Sequence, residues 1–233
     1  GMILGENGIK MGKRYPEFVI NPSDIVRDYG ADTLRLYEMF MGPLEVSKPW
    51  SSAGVEGAKR FIVRVWNFFT EPANLTDDND GALTKIYHQT VKKVTDDFEA
   101  LAFNTAISQL MIFMNAAYKA GKCPKEYAEG IIKMMSCITP HVCEEMWQKL
   151  GHNDTIAYEP WPVYDEKELV VDTIEIAVQI NGKVRGKINV GVDEDQDSAI
   201  AKAKANPDVA AAIEGKNIVK EIYVKGRIVN IVA

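Results

Sequence analysis

Cysteine is scarce in this sequence, and long apolar runs are missing from it. The 233 residues include three cysteines, at positions 123, 137 and 143, and none of them forms a CxxC pair. An odd number without short spacing argues against a disulfide framework and favours a reducing compartment. A structural zinc site normally takes four ligands, so we expect no bound metal. No apolar stretch approaches the ~20 residues of a membrane span, so we expect no membrane partner. Together with the cysteine pattern, this favours a cytoplasmic protein. We expect the protein to be a monomer.

Positive charge is also in short supply for the chain as a whole. Lysine and arginine total 27 against 33 aspartate and glutamate residues, which gives a formal net charge of −6. Net charge alone therefore does not indicate a nucleic-acid-binding protein. Binding to phosphates depends, however, on lysine and arginine at the contact surface, so the positions of the cations matter more than their sum.

The first two thirds of the chain show a loop-rich segment followed by a helical one. Residues 1 to about 50 are interrupted by glycine and proline, and one helix is expected over Ser23–Phe40, capped by Ser23 or Asp24 and divided at Gly30. From about residue 51, apolar residues recur every three or four positions, which predicts four or five amphipathic helices in an antiparallel bundle. An extended linker, Tyr158–Asp165, should then lie on that bundle.

Residues 170–233 change to the alternation that is typical of strands. Asn181-Gly182 favours a two-residue hairpin turn, because both residue types accept a positive φ. In the return strand, Val184 should face the core together with Gly186, which would place Arg185 and Lys187 on the opposite face. We expect four strands, over Ile174–Ile180, Val184–Val190, Asn217–Val224 and Arg227–Val232. Between the second and the third strand, a capping box of Asp193 and Gln196 should open a helix that runs to Ala205, and a short helix should begin at Pro207.

The fold class that we predict is multidomain and mainly α. An antiparallel helical bundle is followed by a small α+β domain with the order ββααββ. The expected boundaries are residues 1–50 for a loop-bearing segment, 51–165 for the bundle and its linker, and 170–233 for the α+β domain.

A basic pentapeptide lies near the beginning of the chain, between turn-forming glycines. It consists of Lys10, Met11, Gly12, Lys13 and Arg14. Cations held beside phosphate oxygens stabilise the charge that spreads over them during phosphoryl or nucleotidyl transfer. The pentapeptide therefore suits a loop that folds over a polyphosphate. On these five residues alone, an ordinary solvated basic loop is the alternative.

The surroundings of this pentapeptide resemble a known enzyme family. With Asn21–Val26, Tyr29–Tyr37 and Gly42–Leu44, the segment Lys10–Arg14 is similar to the KMSKS region of class I aminoacyl-tRNA synthetases in its leucyl version. The resemblance implies that the whole pentapeptide binds ATP and that its two lysines are catalytic as leucine attacks the α-phosphate. Gly12 and Arg14 stand where the family usually has serines, so two hydroxyl groups are missing, although an arginine can still donate to phosphate.

Two further parts of the chain carry the same resemblance. Phe103–Ile107, Ile138–Trp147 and Trp161–Pro162 are similar to the tRNA-binding bundle of the leucyl, isoleucyl, valyl and methionyl enzymes. Gln179–Lys187 and Ile218–Val232 resemble the compact domain that ends bacterial leucyl-tRNA synthetases and contacts the outer corner of the tRNA. The resemblance covers essentially the whole chain.

The cations of the last sixty residues are the candidate tRNA-binding residues. They are separated in sequence from the acids of this region, which concentrate at positions 193–197, and such segregation suits an RNA backbone. A solvated hairpin without a ligand is the alternative. The seven candidates are Lys183, Arg185, Lys187, Lys216, Lys220, Lys225 and Arg227.

The resemblance implies a leucine-tRNA ligase as the whole protein, with ATP and Mg²⁺ as its cofactors and tRNA(Leu) as the partner. None of the histidines at 88, 141 and 152 lies in the HxGH pattern of this class, and no Rossmann fingerprint is present. We therefore expect the leucine and ATP sites to lie mainly upstream, and the chain alone to bind tRNA, to hold no cofactor and to be inactive. The alternatives are a free-standing RNA-binding module and a part of an isoleucyl-, valyl- or methionyl-tRNA synthetase.

Overall fold

The computed structural model describes residues 1–169, 173–191, 194–216 and 218–233. Packing divides the chain into two units, Gly1–Leu169 and Val170–Ala233. A further division near residue 50 stays a prediction. The predicted cap at Asp193 and the predicted strand start at Asn217 fall outside the described residues.

The first unit is mainly helical, with four very short strands. In its described residues, none of the helices combines the length and hydropathy that a bilayer crossing requires. The helices are α1 (Pro22–Tyr29), α2 (Ala31–Phe40), α3 (Ser52–Phe69), α4 (Thr84–Glu99), α5 (Phe103–Ala120), α6 (Lys125–Ser136) and α7 (Pro140–Lys149). The strands are β1 (Ile3–Leu4), β2 (Lys48–Pro49), β3 (Leu75–Thr76) and β4 (Cys123–Pro124), and they pair in parallel as β1 with β2 and β3 with β4.

Helices α1 and α2 separate where the sequence predicts. Gly30 lies between them with φ +94°, a value that glycine accepts without a steric cost. The predicted cap of α1 is wrong, however, because the side chain of Asn21 accepts the hydrogen bond from the Ser23 N–H. Pro22 has no N–H to satisfy and a φ already suited to the first helical position, so the cap falls on the residue before it.

The core of the first unit is tightly packed, and two glycines allow this packing. A Cβ at Gly54 would lie 2.6 Å from Cε2 of Tyr37, and one at Gly130 would lie 2.1 Å from the hydroxyl oxygen of Tyr87. Any larger residue at either position would displace a buried aromatic ring. The aromatic side chains therefore pack directly on helix backbone at these two points.

The linker Tyr158–Asp165 lies along α4, as predicted. Trp161 Nε1 donates to Thr95 Oγ1 at 2.8 Å, and the Asp165 N–H donates to His88 Nδ1 at 3.1 Å. Trp161 also contacts Phe98, with ring centroids 5.6 Å apart. Prolines on both sides of Trp161 prevent a helix here, so side-chain contacts hold the segment in place.

The N-terminus of α7 is capped by a side chain from α2. The buried carboxylate of Asp32 accepts hydrogen bonds from His141 Nδ1 and from the Val142 N–H, both at 2.7 Å. Thr139, which precedes α7, forms no side-chain cap and instead donates to the Met135 carbonyl. A carboxylate more than a hundred residues away in sequence thus satisfies one of the free N–H groups at the start of α7, that of Val142.

Helix α2 also provides a side chain that binds the C-terminal end of α6. Arg35 donates from Nε to the Ile138 carbonyl at 2.7 Å and from Nη2 to the Cys137 carbonyl at 3.2 Å. The two carbonyl groups belong to the C-cap of α6, Cys137, and to the residue after it, where no further turn of helix satisfies them. Asp32 and Arg35 therefore bind the two helix ends that meet at the α6–α7 joint.

We predict that Asp32→Ala lowers the free energy of unfolding of the first unit by about 1–3 kcal/mol, because the half-buried Val142 N–H loses its acceptor. Asp24→Ala is the matched control, since Asp24 is exposed and pairs with the exposed Arg27; its effect should stay below about 0.5 kcal/mol. Urea unfolding followed by tryptophan fluorescence measures this, because all four tryptophans lie in the first unit. Equal losses in the two variants would contradict the capping role.

The second unit is a four-stranded sheet with two helices, in the predicted order ββααββ. Its elements are β5 (Thr173–Ile180), β6 (Lys183–Gly191), α8 (Gln196–Ala205), α9 (Pro207–Ile213), β7 (Lys220–Val224) and β8 (Ile228–Val232). The strand order across the sheet is β6-β5-β8-β7, with β5 and β8 parallel and the other pairs antiparallel. Asn181 and Gly182 have φ values of +50° and +79°, which confirms the predicted hairpin turn.

One face of this sheet is covered by α8 and α9. Val178, Val190 and Ile231 are fully buried on that face, together with Ala203 of α8 and Val209 of α9. A Cβ at Gly186 would lie 3.1 Å from Val209 Cγ2, which places this glycine under α9. The start of α8 is capped by Asp195, whose carboxylate accepts from the Ser198 N–H at 2.9 Å.

Glu194 connects the end of β6 to α8, and we predict that it makes this unit sensitive to acid. Its carboxylate accepts from Lys202, from the Ser198 hydroxyl and from the Gly191 N–H, and these bonds lower the pKa of Glu194 from 4.5 to about 2. A lowered pKa stabilises the fold at neutral pH, and that stabilisation is lost as the pH falls from about 4.5 towards 2.

Glu194→Gln should therefore destabilise the second unit at pH 7, and its difference from the parent chain should shrink as the pH approaches 2. Urea titrations followed by the amide NMR signals of β5 measure this. Asp197→Asn, an exposed acid in the first turn of α8, is the control and should show little effect. Equal stability of Glu194→Gln and the parent chain at pH 7 would contradict the prediction.

Candidate nucleic-acid interface

A tight turn places the basic pentapeptide directly after β1. Leu4 and Lys10 form an antiparallel bridge, and the Gly5 N–H donates to the Ile9 carbonyl at 2.9 Å. Gly8 has φ +75° within this turn, a conformation in which an L side chain is strained. Lys10 therefore stands at the exit of the turn rather than in a long free loop.

Met11 fixes the pentapeptide to the first unit while its cations point outwards. The Met11 sulfur accepts from the Ile20 N–H at 3.4 Å, and its side chain packs against the helical core. Lys10, Lys13 and Arg14 are exposed, and within the described residues none of them forms an ion pair. Their positive charge is available to a ligand, and their roles in ATP binding and catalysis stay predictions.

Gly12, the main departure from the family pattern, has free space around it. A Cβ at Gly12 would meet no heavy atom within 4 Å, and its φ is not positive. The guanidinium of Arg14 lies 5.5 Å from the centroid of the Tyr15 ring, where it remains exposed. Nothing in the local packing therefore requires glycine at position 12.

The cations of β6 are arranged by a β-bulge that the sequence did not reveal. The register shifts between Val178 and Gln179, so that Val178 pairs with Gly186 but Gln179 pairs with Val184, and Arg185 is the extra residue. The prediction that Val184 faces the core is wrong, because its side chain is 57% exposed. Simple alternation fails here because a bulge reverses the side to which the following residues point.

Lys187 and Lys183 lie at different parts of β6. Lys187 pairs with Ala177 on the face that the helices leave open, and its ammonium group forms an ion pair with Glu175 at 2.7 Å. This ion pair raises the pKa of Lys187 above its ordinary value. Lys183 pairs with the buried Ile180 at the hairpin end, so the bulge separates it from Lys187.

The four remaining candidates flank β7 and β8 but do not form one cluster. Lys220 pairs with Val232 at one end of the sheet, and Lys216 lies in the loop before it. Lys225 and Arg227 lie in the β7–β8 turn at the other end. These four cations therefore lie around the strand pair without forming one cluster, since two residues at opposite ends of a five-residue strand are separated by roughly 13 Å.

The sheet nevertheless offers cations along both of its edges. Arg185 and Lys187 lie on edge strand β6, Lys220 lies on edge strand β7, and the two edges are about 14 Å apart across three strand spacings. Such a distribution suits contacts to several phosphates of a folded RNA rather than the recognition of one base. This distribution is compatible with a surface that contacts a nucleic-acid backbone.

Comparison with known proteins identifies the family. The family model described as "Anticodon-binding domain of tRNA ligase" matches residues 80–201, which is more than half of the chain. The chain belongs to the anticodon-binding domain family of tRNA ligases. The match begins before α4 and extends through β5 and β6 into α8, so it includes residues of both units.

A solved structure extends the similarity of this anticodon-binding domain protein to all of its residues. It is titled "Crystal structure of the ternary complex of Agrobacterium radiobacter K84 agnB2 LeuRS-tRNA-LeuAMS". The two chains are 27% identical with a TM-score of 0.73, over 100% of this chain and 32% of the Agrobacterium chain. The chain thus spans about a third of the length of its structural relative. The resemblance to a C-terminal portion of leucyl-tRNA synthetase is confirmed.

Sequence reasoning missed the roles of Asp32 and Arg35, although both lie in the quoted motif Tyr29–Tyr37. Their partners are more than a hundred residues away in sequence. The sequence does show two opposite charges three residues apart, which lie on one face of a helix. This spacing is equally typical of an ordinary solvent-exposed helix, so it did not indicate a capping role.

We predict that Gly12→Ser changes the free energy of unfolding by less than about 0.5 kcal/mol, because the new side chain meets nothing. Gly5→Ser, in the turn that precedes the pentapeptide, is the matched control. Its Cβ would lie 2.9 Å from both Phe18 Cβ and Asn7 Oδ1, so we expect a loss of about 1 kcal/mol or more. Urea unfolding of both variants measures this. A Gly12→Ser variant as unstable as Gly5→Ser would show that glycine is required at position 12.

Proposed function

We propose that this chain is the tRNA-binding part of a leucine-tRNA ligase, which activates leucine with ATP and transfers it to tRNA(Leu). The family match supports tRNA as the partner and leaves the amino acid open. The observation that carries the leucyl assignment is the structural similarity to a leucyl enzyme solved with tRNA, which extends over the whole chain, including the ββααββ unit. The antiparallel course of the helices, as in a tRNA-binding bundle, is part of the same proposal.

The pentapeptide Lys10–Arg14 fits a polyphosphate. Its three exposed cations have no carboxylate partners in the described part of the chain, and Met11 anchors the loop while leaving those cations free to move. In the whole enzyme, Lys10 and Lys13 would contact the phosphates of ATP with its Mg²⁺ and stabilise negative charge on the phosphate oxygens. Arg14 would replace a serine as the donor at its position, with a planar group that binds two oxygens at once.

The cations of the second unit would hold the tRNA backbone. Arg185 and Lys187 place two cations on one edge strand, of which Lys187 is paired with Glu175, and Lys220 adds a third on the other edge strand. Contacts of this kind give an affinity that falls steeply with salt and depends little on base sequence. Selectivity for tRNA(Leu) would then come from the shape of the folded RNA.

We predict that the 233-residue chain binds tRNA(Leu) more tightly than an unrelated tRNA at physiological salt. Replacing both Arg185 and Lys187 by alanine should weaken the binding and reduce the slope of log K against log salt by about 2. Lys204→Ala is the matched control, because Lys204 lies on α8, which covers the sheet face opposite to the one that bears Lys187. Filter binding at several salt concentrations measures all three proteins. Equal affinity for the two RNAs, or no binding at low salt, would overturn the proposal.

A further inference from the structure

A cavity of about 300 Å³ lies in the first unit, where α2 and the connection between α4 and α5 meet the α6–α7 joint. Its apolar wall is formed by Met39, Phe98, Phe103 and Ile138. The rings of Phe98 and Phe103 meet edge to face, with centroids 5.3 Å apart. Sites for small molecules have this size and this mainly apolar lining, with a few polar groups that orient the ligand. The cavity can therefore hold an apolar group such as an aromatic ring.

Two side chains of opposite charge, Arg35 and Glu38 of α2, also line this cavity. They are three positions apart, so they lie on one face of the helix. They nevertheless form no ion pair with each other, since the guanidinium donates from Nε and Nη2 to the carbonyls of Ile138 and Cys137. The contacts that hold the α6–α7 joint thus keep the two charges apart.

The carboxylate of Glu38 lacks a partner. It is half-buried, and within the described ranges it accepts no hydrogen bond and forms no ion pair. Burial raises the pKa of Glu38 above its ordinary value, although the charge of Arg35 acts in the opposite direction. A pKa raised by burial means that the ionised carboxylate is destabilised where it lies. A cation in the cavity would relieve this destabilisation.

The guanidinium of Arg35 retains donors for an anion. Its Nη1 makes no hydrogen bond to any part of the chain that the structure describes, and the side chain is exposed. A guanidinium has five N–H donors in a planar fork that matches a carboxylate. The Cβ atoms of residues three apart on a helix are about 5–6 Å from each other, a distance that a small zwitterion can span. The cavity thus combines a site for a cation, a site for an anion and an apolar wall.

We propose that this cavity binds a free α-amino acid with an aromatic side chain. The ammonium group of the ligand pairs with Glu38, and its carboxylate accepts from Nη1 of Arg35. Its ring packs on Phe98 and Phe103, where a third aromatic ring adds favourable edge contacts to the burial of apolar area. This inference goes beyond the proposed function and is independent of it, because none of the residues proposed to bind ATP or tRNA lines the cavity.

Cys137 provides a probe of the cavity. Its exposed thiol lies in the lining, whereas Cys123 and Cys143 are buried. Alkylation of Cys137 by iodoacetamide, a neutral reagent, is followed by mass spectrometry at about pH 8, where part of an exposed thiol is ionised. L-Phenylalanine should protect Cys137 with a half-protecting concentration of roughly 0.1–1 mM, the affinity expected of a ligand with about a dozen heavy atoms. Absence of protection would overturn the proposal.

Two relatives of the ligand test the charged groups without changing the protein. Phenethylamine lacks the carboxylate, and 3-phenylpropionate lacks the ammonium group. Each should need a roughly 10-fold higher concentration than phenylalanine for the same protection, because one charge-assisted hydrogen bond is lost. Equal protection by either compound would rule out the recognition of an amino acid, and protection by phenylalanine alone at low concentration would support it.

Glu38→Gln tests the protein side. The half-protecting concentration of phenylalanine should rise roughly 10-fold, because a neutral amide does not pair with the ammonium group. This variant should fold as the parent chain does, since the carboxylate has no partner to lose within the described residues. Glu99→Gln is the matched control, because Glu99 is exposed, follows Phe98 in sequence and does not line the cavity. Unchanged protection in Glu38→Gln would contradict the proposed site and would leave the proposed function untouched.

Discussion

The hydrogen bonds from Asp32 and Arg35 to the α6–α7 joint are the constraint on which the helical unit depends. Asp32 accepts from one backbone N–H at the start of α7, and Arg35 donates to two carbonyl groups that follow α6. The negative carboxylate thus lies at the positive end of one helix dipole, and the positive guanidinium lies at the negative end of another. Both side chains come from α2, which follows the segment that bears the basic pentapeptide. The same helix thus ties the loop-bearing part of the unit to α6 and α7.

The proposed nucleic-acid binding is compatible with a negative net charge, because the acidic and the basic side chains of this chain are segregated. The chain carries more acids than bases, yet many of its acids are engaged with lysines of the same helix, with helix ends or with capped turns. The cations of the basic pentapeptide have no acidic partners in the described part of the chain, whereas Lys187 on the sheet edge is paired with Glu175. Local fields near such groups extend only about 10 Å at 0.1 M salt, so a distant excess of acids does little to cancel them.

Much of this fold was predictable from local patterns. The break at Gly30, the hairpin at Asn181-Gly182 and the order ββααββ follow from residue preferences that act over a few positions. The cap at Asn21 and the bulge at Arg185 were not foreseen, since each depends on competition between neighbouring positions for the same backbone groups. The hydrogen bond from the Val142 N–H to Asp32 and the contact of the Arg64 guanidinium with the Tyr118 ring join segments that are distant in sequence. The spacing of apolar residues carries no information about such contacts.

The placement of β8 has a consequence for how the second unit acquires its structure. This strand is formed from the last part of the chain but occupies an inner position, in parallel with β5 and antiparallel to β7. Before β8 pairs with β5, no backbone hydrogen bonds join β7 to the β5–β6 hairpin. One edge of β5 is then free to pair with a strand of another molecule. Parallel pairing across some fifty residues is slow to nucleate, so assembly of this sheet should lag behind the helices and be the step most exposed to misassociation.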